Sequence, residues 1–313
     1  MSEQSRYREL AGQLSLPVFF QPWWLDITSP GWDAVIVEEE GEVRAAWPYG
    51  TEQKAGFRIM RNPPMTPYLG PLFFLPPKEK VFGRWNQEDA IFEAFWKKLP
   101  RWDFFEVLAL PGYDNFLPFH QAGFSVTMRL TYHLNLSQPA ETLLDNMKSG
   151  HRNHIRKAAK DLKIEDGLPL LPRFYTLNRA TLERKGKKYF FDQQVFTELI
   201  STACARRSGL VQAALHPNGE VAAMVFTCYD EHTMYLLLSA ANPDAIHNGA
   251  VALLIWDAIL KAKEMGLKTF DFEGSMDKGI ETFFRGFAGE RKSYLSCTSQ
   301  PSGIWKLKRA LLG

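Results

Sequence analysis

The residues best suited to chemistry are two carboxylates near the end of the chain. Asp271 and Glu273 alternate with Phe270 and Phe272 in the string FDFE. Successive side chains of a strand point to opposite faces, so two buried phenylalanines would leave both carboxylates on the other face, beside a cleft. A carboxylate next to an aromatic pocket can have a raised pKa and act as a general base. Capping of the following turn is an equal alternative.

Basic residues follow these acids and extend the candidate site. We predict a short helix over about 278–286 that begins near Lys278 and returns Arg285 toward the carboxylates. Arginine stays protonated, so Arg285 would stabilise developing negative charge or bind phosphate and would not carry a proton. Lys278 is a further candidate for binding phosphate or substrate.

A second basic group occupies the string KSGHRNHIRKAAK, in which a basic residue recurs every fourth position. No acid interrupts the run, so a helix here would carry one positive stripe, for which phosphate is a natural partner. We predict that Arg152, Arg156 and Lys160 line a cleft and bind a phosphorylated ligand. A solvated helix face is the alternative. His151 and His154 have no evident third ligand, and no metal site is predicted.

A third segment has small residues before a helix predicted at about 248–265. The N–H groups and the dipole at the start of a helix favour an anion. Asn248, Gly249 and Ala250 are therefore candidates for anion binding. An ordinary Asn-Gly helix cap fits the same letters.

Composition limits the remaining classes of protein. The chain has 313 residues, of which 45% are hydrophobic and 23% charged, as in a globular protein of one or two domains. Its net charge of +2 requires any nucleic-acid contact to come from a local patch. Three well-separated cysteines indicate reduced thiols and a cytoplasmic location. The N-terminus does not resemble a signal peptide and the apolar runs are short, so we expect no membrane insertion.

A faint internal repeat predicts the organisation of the chain. GEVRAA at 41–46 and GEVAAM at 219–224 each follow a strand-like run, as in a hairpin. WDFFE at 102–106 and FDFE at 270–273 each precede a short helical stretch. This order predicts an α/β (α+β) protein of two similar units, each a mixed sheet flanked by helices.

The boundary between the two units is predicted near residue 130. The expected domains are residues 1–130 and 131–313, and the second begins with a strand and one helix over about 139–162. The helix is predicted from Pro139 in its first turn and from apolar residues at helical spacing.

These segments, in this order, resemble the FemABX-like branch of the GNAT (acyl-CoA N-acyltransferase) superfamily, which includes BioF2-like acyltransferase domains. The matching strings are TYHLNLSQPAETLLDNMKSGHRNHIRKAAK, GEVAAMVFTCYDEHTMYLLLSA and TFDFEGSMDKGIETFFRGFAG, together with the helix after residue 249. The resemblance covers most of residues 124–295. It implies two GNAT folds in tandem, the first degenerate, and transfer of an acyl or aminoacyl group to an amine.

The resemblance also implies roles for particular residues. The backbone near Leu237 and Ser239 would hold the donor, which is acyl-CoA or aminoacyl-tRNA, and no tightly bound cofactor is expected. Glu273 or Asp271 would take the proton of the amine. The acceptor would be a small molecule or a phosphorylated cell-wall precursor such as one of peptidoglycan, and charged tRNA is a possible partner. The oligomeric state is left open.

Two departures from the family pattern qualify these expectations. The chain has no room between about 171 and 206 for the long helical arm of staphylococcal bridge enzymes, which argues against a tRNA contact that depends on the arm. Relatives often carry Phe-Lys-x-x-Phe-Gly where this chain has FRGFAG at 284–289. A catalytically inactive GNAT-like module that binds a phosphorylated ligand is the alternative function.

Overall fold

The computed structural model describes residues 1–75, 81–184, 186 and 191–305. The chain divides into two compact units, one of Met1–Arg129 with the segment from Ser293 onward, and one of Leu130–Lys292. The second unit therefore ends before the predicted boundary at residue 313. Strand pairing explains the difference, because residues 296–299 pair antiparallel with a strand of the first unit.

The first unit is a mixed sheet with helices. Its helices and strands are α1 Glu3–Ala11, α2 Pro22–Thr28, β1 Asp33–Glu39, β2 Glu42–Lys54, β3 Phe57–Arg61, β4 Leu72–Phe73, α3 Val81–Lys98, β5 Phe104–Leu108, α4 Leu117–Gln121 and the start of β6 Ser125–Asn135. The strands run in the order β1-β2-β3-β5, with β4 beside β2. Of these pairs, β3 with β5 is parallel. Aromatic rings around the buried Trp47 fill the core between this sheet and α3.

The second unit contains a sheet in the order β6-β11-β10-β9-β8-β7. Its helices and strands are α5 Ala140–Asn146, α6 Ser149–Asp161, β7 Lys163–Asp166, α7 Leu171–Arg184, α8 Gln193–Ala205, β8 Gly209–Leu215, β9 Val221–Tyr229, β10 Thr233–Ala241, α9 Ala250–Glu264, β11 Thr269–Asp271, α10 Lys278–Arg285 and the start of β12 Glu290–Ser299. Of these strand pairs, β10 with β11 is parallel. The largely apolar α9 packs on β9 and β10 and is buried in the core of the unit.

The paired sequence strings occupy corresponding places in the two units. GEVRAA follows the turn from β1 to β2, and GEVAAM follows the turn from β8 to β9, both of them antiparallel hairpins. In each unit a later strand, β5 or β11, pairs in parallel with the strand after the hairpin and is followed by a short helix. The predicted mixed α/β class is confirmed. That the first unit is a degenerate GNAT domain stays a prediction.

The single helix predicted over about 139–162 is two helices, α5 and α6. The break falls at Met147 and Lys148, whose backbone is extended. The N–H of Lys148 donates to the carbonyl of Gly286 at 2.9 Å, and this bond replaces one inside a continuous helix. The result ties the start of α6 to the end of α10.

Helix α6 also packs closely against the start of α9 at Gly249. A Cβ at Gly249 would lie 2.3 Å from the carbonyl oxygen of His154 and 3.0 Å from the Cβ of Ala158. Only glycine allows this contact between the backbones of the two helices. Gly150, inside α6, has open space around its Cα.

We predict opposite effects on stability for two Gly→Ala substitutions in this pair of helices. Gly249→Ala should lower the free energy of unfolding by about 1–3 kcal/mol, because the added methyl group overpacks the contact. Gly150→Ala should raise it by about 0.4–1 kcal/mol, because the added Cβ meets no atom and alanine loses less backbone entropy on folding than glycine. Urea unfolding measures the free energy of unfolding of both variants. Equal changes in the two variants would contradict the role of the close contact at Gly249.

Candidate functional site

The candidate site is a cleft that opens where β10 and β11 separate. The parallel pairing of the two strands ends at Tyr235 and Asp271. Beyond this point a cleft of about 760 Å³, here called the β10–β11 cleft, is lined by β10, the residues after β11 and parts of α7, α9 and α10. This volume lies in the range of small-molecule sites. The strands part because β11 has only three residues whereas β10 continues to Ala241.

Strand β10 carries a β-bulge in the wall of the cleft. Leu236 pairs with Thr227 of β9 and Leu238 pairs with Phe226, so Leu237 is an extra residue on β10. A bulge leaves its extra residue outside the regular ladder of hydrogen bonds. Leu237 and Ser239, both predicted to bind the donor, line the cleft. The run of leucines gave no sign of the bulge, since it contains no glycine.

The start of α9 borders the cleft, but the three candidates there differ in position. Asn248 lines the cleft together with Val251 and Ala252. Gly249 and Ala250 are buried and do not line it. The close approach of α6 explains the glycine, and core packing explains the alanine. Anion binding at these two residues stays a prediction.

Glu273 is the carboxylate that the structure places in the cleft. The side chain is half-buried, and among the described residues its buried Oε1 has no hydrogen-bond partner. Burial, and secondarily the negative charge of Asp271, raise the pKa of Glu273 well above its usual range. Its backbone is left-handed with φ of 54°, a strained conformation for a residue with a side chain. Strain and an unpaired buried carboxylate are typical of functional sites.

Asp271 lies beneath the cleft and does not line it. Phe270 and Phe272 are buried as predicted, but Asp271 is buried too, with only 1% of its surface exposed. Its Oδ1 accepts hydrogen bonds from the Thr131 hydroxyl at 2.5 Å and from the Glu273 N–H at 2.7 Å. The expectation that both carboxylates face the cleft is therefore wrong, since β11 ends at Asp271 and the chain turns there. Asp271 supports the turn that presents Glu273.

Arg285 and Lys278 also lie outside the lining of the cleft. Helix α10 turns Ile280, Phe283 and Phe284 toward the cleft. Arg285 lies on another side of the helix, where its 56% exposed side chain pairs with Glu281 one turn earlier at 3.5 Å. Lys278 is exposed in the first turn. The prediction that Arg285 borders the same groove as Glu273 is wrong, because a helix rotates successive side chains by about 100°.

Residues 146–285 match the family described as the acetyltransferase (GNAT) domain. This segment is a GNAT domain. It contains the whole β10–β11 cleft. The acyltransferase class predicted from the sequence is confirmed for this domain. No curated protein matches the chain.

Solved structures of the same fold cover nearly the whole chain. FemX aligns with a TM-score of 0.66 at 14% identity, covering 94% of this chain and 96% of that one. L-PGS from Bacillus licheniformis aligns with a TM-score of 0.54 at 13% identity, covering 95% and 92%. A tandem GNAT protein from the clavulanic acid biosynthesis pathway aligns with a TM-score of 0.51 at 13% identity, covering 95% and 94%. At these identities the similarity concerns the fold, which agrees with the predicted FemABX-like architecture.

The basic stripe of α6 is not part of the lining of the GNAT domain's cleft. Arg156 and Lys160 are exposed. The half-buried Arg152 donates from Nη1 to the carbonyls of Asp145 at 2.6 Å and Met147 at 2.7 Å. Arg152 thus satisfies carbonyl groups at the end of α5. The prediction that these three residues line a cleft is wrong, because α6 turns Ile155 and Ala158 inward and its basic stripe outward.

Residues that the sequence did not single out complete the cleft. Asn178 of α7 is 5% exposed and lines the cleft, and its buried Oδ1 has no hydrogen-bond partner among the described residues. Arg184, at the end of α7, also lines the cleft. Asn178 follows Leu177 and lies four residues after Phe174, so it is a polar residue on an apolar helix face. This pattern is the feature of the sequence that could have identified Asn178 as a candidate. Within the described ranges, no helix is both long and apolar enough to cross a membrane.

We predict that Arg152 and Arg156 differ in their effect on stability. Arg152→Ala should lower the free energy of unfolding by about 1–2 kcal/mol, because two carbonyls lose a charged donor. Arg156→Ala, the matched substitution one turn later on the same stripe, should change it by less than about 0.5 kcal/mol. Chemical denaturation compares the two variants. A larger loss in Arg156→Ala would contradict the capping role of Arg152.

We predict that Glu273→Gln stabilises the protein, and does so more at high pH. The pKa of Glu273 is higher in the folded than in the unfolded state, so its contribution to stability is complete below the unfolded pKa and is lost as pH rises through the folded pKa. Glutamine avoids the cost of the buried charge. The difference in Tm between variant and parent should be small at pH 4 and positive at pH 8. A difference that does not change with pH would contradict the raised pKa.

Proposed function

We propose that the protein is an N-acyltransferase that moves an acyl group from a thioester to an amine in the β10–β11 cleft. The observation that carries the proposal is the unpartnered buried Oε1 of Glu273 in the same cleft as the bulged edge of β10. Acyl transfer to an amine needs a group that accepts a proton and a backbone that holds the carbonyl, and this cleft offers both.

The edge of β10 suits an extended, amide-containing donor arm. Beyond Tyr235 the strand has no ladder pairs with β11, so its backbone groups can bond a ligand as a further strand would. Leu237 is the extra residue of the bulge and has no paired residue on β9. Its N–H would donate to the thioester carbonyl. That hydrogen bond would strengthen as negative charge develops on the carbonyl oxygen in the transition state.

Glu273 would act as the general base. The amine nitrogen attacks the thioester carbonyl carbon, the C–N bond forms and the C–S bond breaks. Glu273 takes one proton of the protonated amine before attack, and the proton that the nitrogen loses as the C–N bond forms passes to the leaving sulfur, which departs as a thiol. Burial and the charge of Asp271 raise the pKa of Glu273, which makes its carboxylate a stronger base than an ordinary glutamate.

The chemical class of the donor and of the acceptor is part of the proposal. A thioester such as acyl-CoA fits the β10 edge, whereas the stripe of α6, the predicted partner of a phosphorylated substrate or of charged tRNA, does not line the cleft. The proposed acceptors are amines, cell-wall precursors among them. An inactive binding module would have no need for the strained backbone of Glu273, so the geometry favours an enzyme.

We predict that Glu273→Gln lowers kcat by about 10²–10⁴-fold with the Kd of the thioester unchanged. Steady-state kinetics with acetyl-CoA and a panel of amines, and calorimetry with CoA, measure the two quantities. The parent should lose kcat/KM as pH falls through the raised pKa, since the base must be ionised, and the residual activity of the variant should lack this dependence.

Glu290→Gln is the matched control, because Glu290 is an exposed carboxylate in the same unit that pairs with Lys292. It should keep full activity. Full activity of Glu273→Gln would overturn the role of Glu273. Thermal stabilisation by aminoacyl-tRNA but not by any acyl-CoA would overturn the choice of thioester as the donor.

A further inference from the structure

Two residues that line the β10–β11 cleft each carry a buried side-chain oxygen with no hydrogen-bond partner among the described residues. One is Oε1 of Glu273 and the other is Oδ1 of Asn178. Buried polar atoms in proteins are nearly always hydrogen-bonded, and a buried polar atom without a partner destabilises the fold. Two such atoms of the same chemical kind, on residues that line one cleft, are best explained by one ligand that donates to both.

The kind of atom defines the ligand. A carboxylate oxygen and a carboxamide oxygen both accept hydrogen bonds and neither donates. A primary ammonium group has three N–H donors and a positive charge that matches the carboxylate. Residues of β10 line the same cleft, and their backbone groups would serve the acyl donor, so the two side-chain oxygens are left for the acceptor.

We infer that Asn178, with Glu273, forms the binding site for the ammonium group of the acceptor amine. The inference rests on the proposed function and adds a positioning residue and a ligand class to it. Asn178 holds the nitrogen by a hydrogen bond to Oδ1, and Glu273 then removes the proton that frees the lone pair for attack. Since two acceptors take two N–H bonds, primary amines are preferred over tertiary and quaternary ones.

The position of Asn178 supports a role in binding and not in folding. It lies on α7, which packs on β10, and follows the buried Phe174 and Leu177 on the inward face of that helix. A leucine there would remove a buried oxygen that has no hydrogen-bond partner. A buried polar side chain with no hydrogen bond among the described residues therefore points to a ligand.

The first experiment measures binding of a probe amine without acyl transfer. At pH 8, n-butylammonium chloride should raise the Tm of the parent more than the same concentration of n-butyltrimethylammonium chloride, which has no N–H group. Asn178→Leu should weaken n-butylammonium binding by about tenfold or more, the value of one hydrogen bond to a charged group, with an unchanged or higher Tm in the absence of amine. Asn178→Asp should bind the amine at least as well as the parent.

A control variant and a second readout keep the inference falsifiable. Thr176→Val removes a hydroxyl on the same helix that already donates to the Pro172 carbonyl and does not line the cleft, and it should bind the amine like the parent. In turnover assays Asn178→Leu should raise the KM of the amine and leave the KM of acetyl-CoA unchanged. Equal affinity of Asn178→Leu and parent for n-butylammonium would overturn the inference, as would a change confined to the KM of acetyl-CoA.

The outcomes separate this inference from the proposed function. Amine binding that depends on Asn178, in a protein that turns over no thioester, would support the ammonium site and overturn acyl transfer. Loss of turnover in Glu273→Gln together with an unchanged amine KM in Asn178→Leu would support acyl transfer and overturn the role of Asn178.

Discussion

The site depends on the path of the chain as it leaves β11. Glu273 and Gly274 both have left-handed backbone, with φ of 54° and 62°. A Cβ at Gly274 would lie 1.9 Å from the carbonyl oxygen of Leu130, so only glycine can pass so close to β6. This turn takes the chain away from β10, and the separation of β10 from the chain after β11 is what opens the cleft.

The same turn determines the properties of the general base. Asp271 accepts the N–H of Glu273 and the hydroxyl of Thr131, and these bonds hold the strained residue in place. The charge of Asp271 adds to the effect of burial on the pKa of Glu273. The buried carboxylate of Asp271 therefore has a structural and an electrostatic role, although it does not meet the substrate in the cleft.

Helix α6 carries a basic stripe that suggests ligand binding, but the contacts of the helix in the structure serve packing. Its glycine contact at Gly249 holds it against the start of α9, and the ring of His151 lies against Phe283 of α10 with centroids 5.0 Å apart. A Cβ at Gly286 would lie 2.5 Å from that ring. Helix α6 thereby joins two helices whose residues line the cleft, and one arginine of its stripe caps α5.

The sequence by itself determined the mixed α/β class, the two hairpins, the α9 helix and the family of the second unit. These follow from hydrophobic period, turn residues and the order of motifs, which are local properties of the chain. Local signals, a carboxylate after a strand and an asparagine before a helix, made Glu273 and Asn248 candidates, and the family resemblance added Leu237 and Ser239. All four residues line the cleft.

Only the tertiary structure decided which candidates meet in the cleft. The burial of Asp271, the outward rotation of Arg285, the bulge at Leu237 and the orphaned oxygen of Asn178 all depend on contacts between segments far apart in sequence. Strand pairing likewise transfers the end of β12 to the first unit. Charge and spacing alone do not report such contacts, because a side chain's surroundings are set by the elements that pack against it and not by its neighbours in the chain.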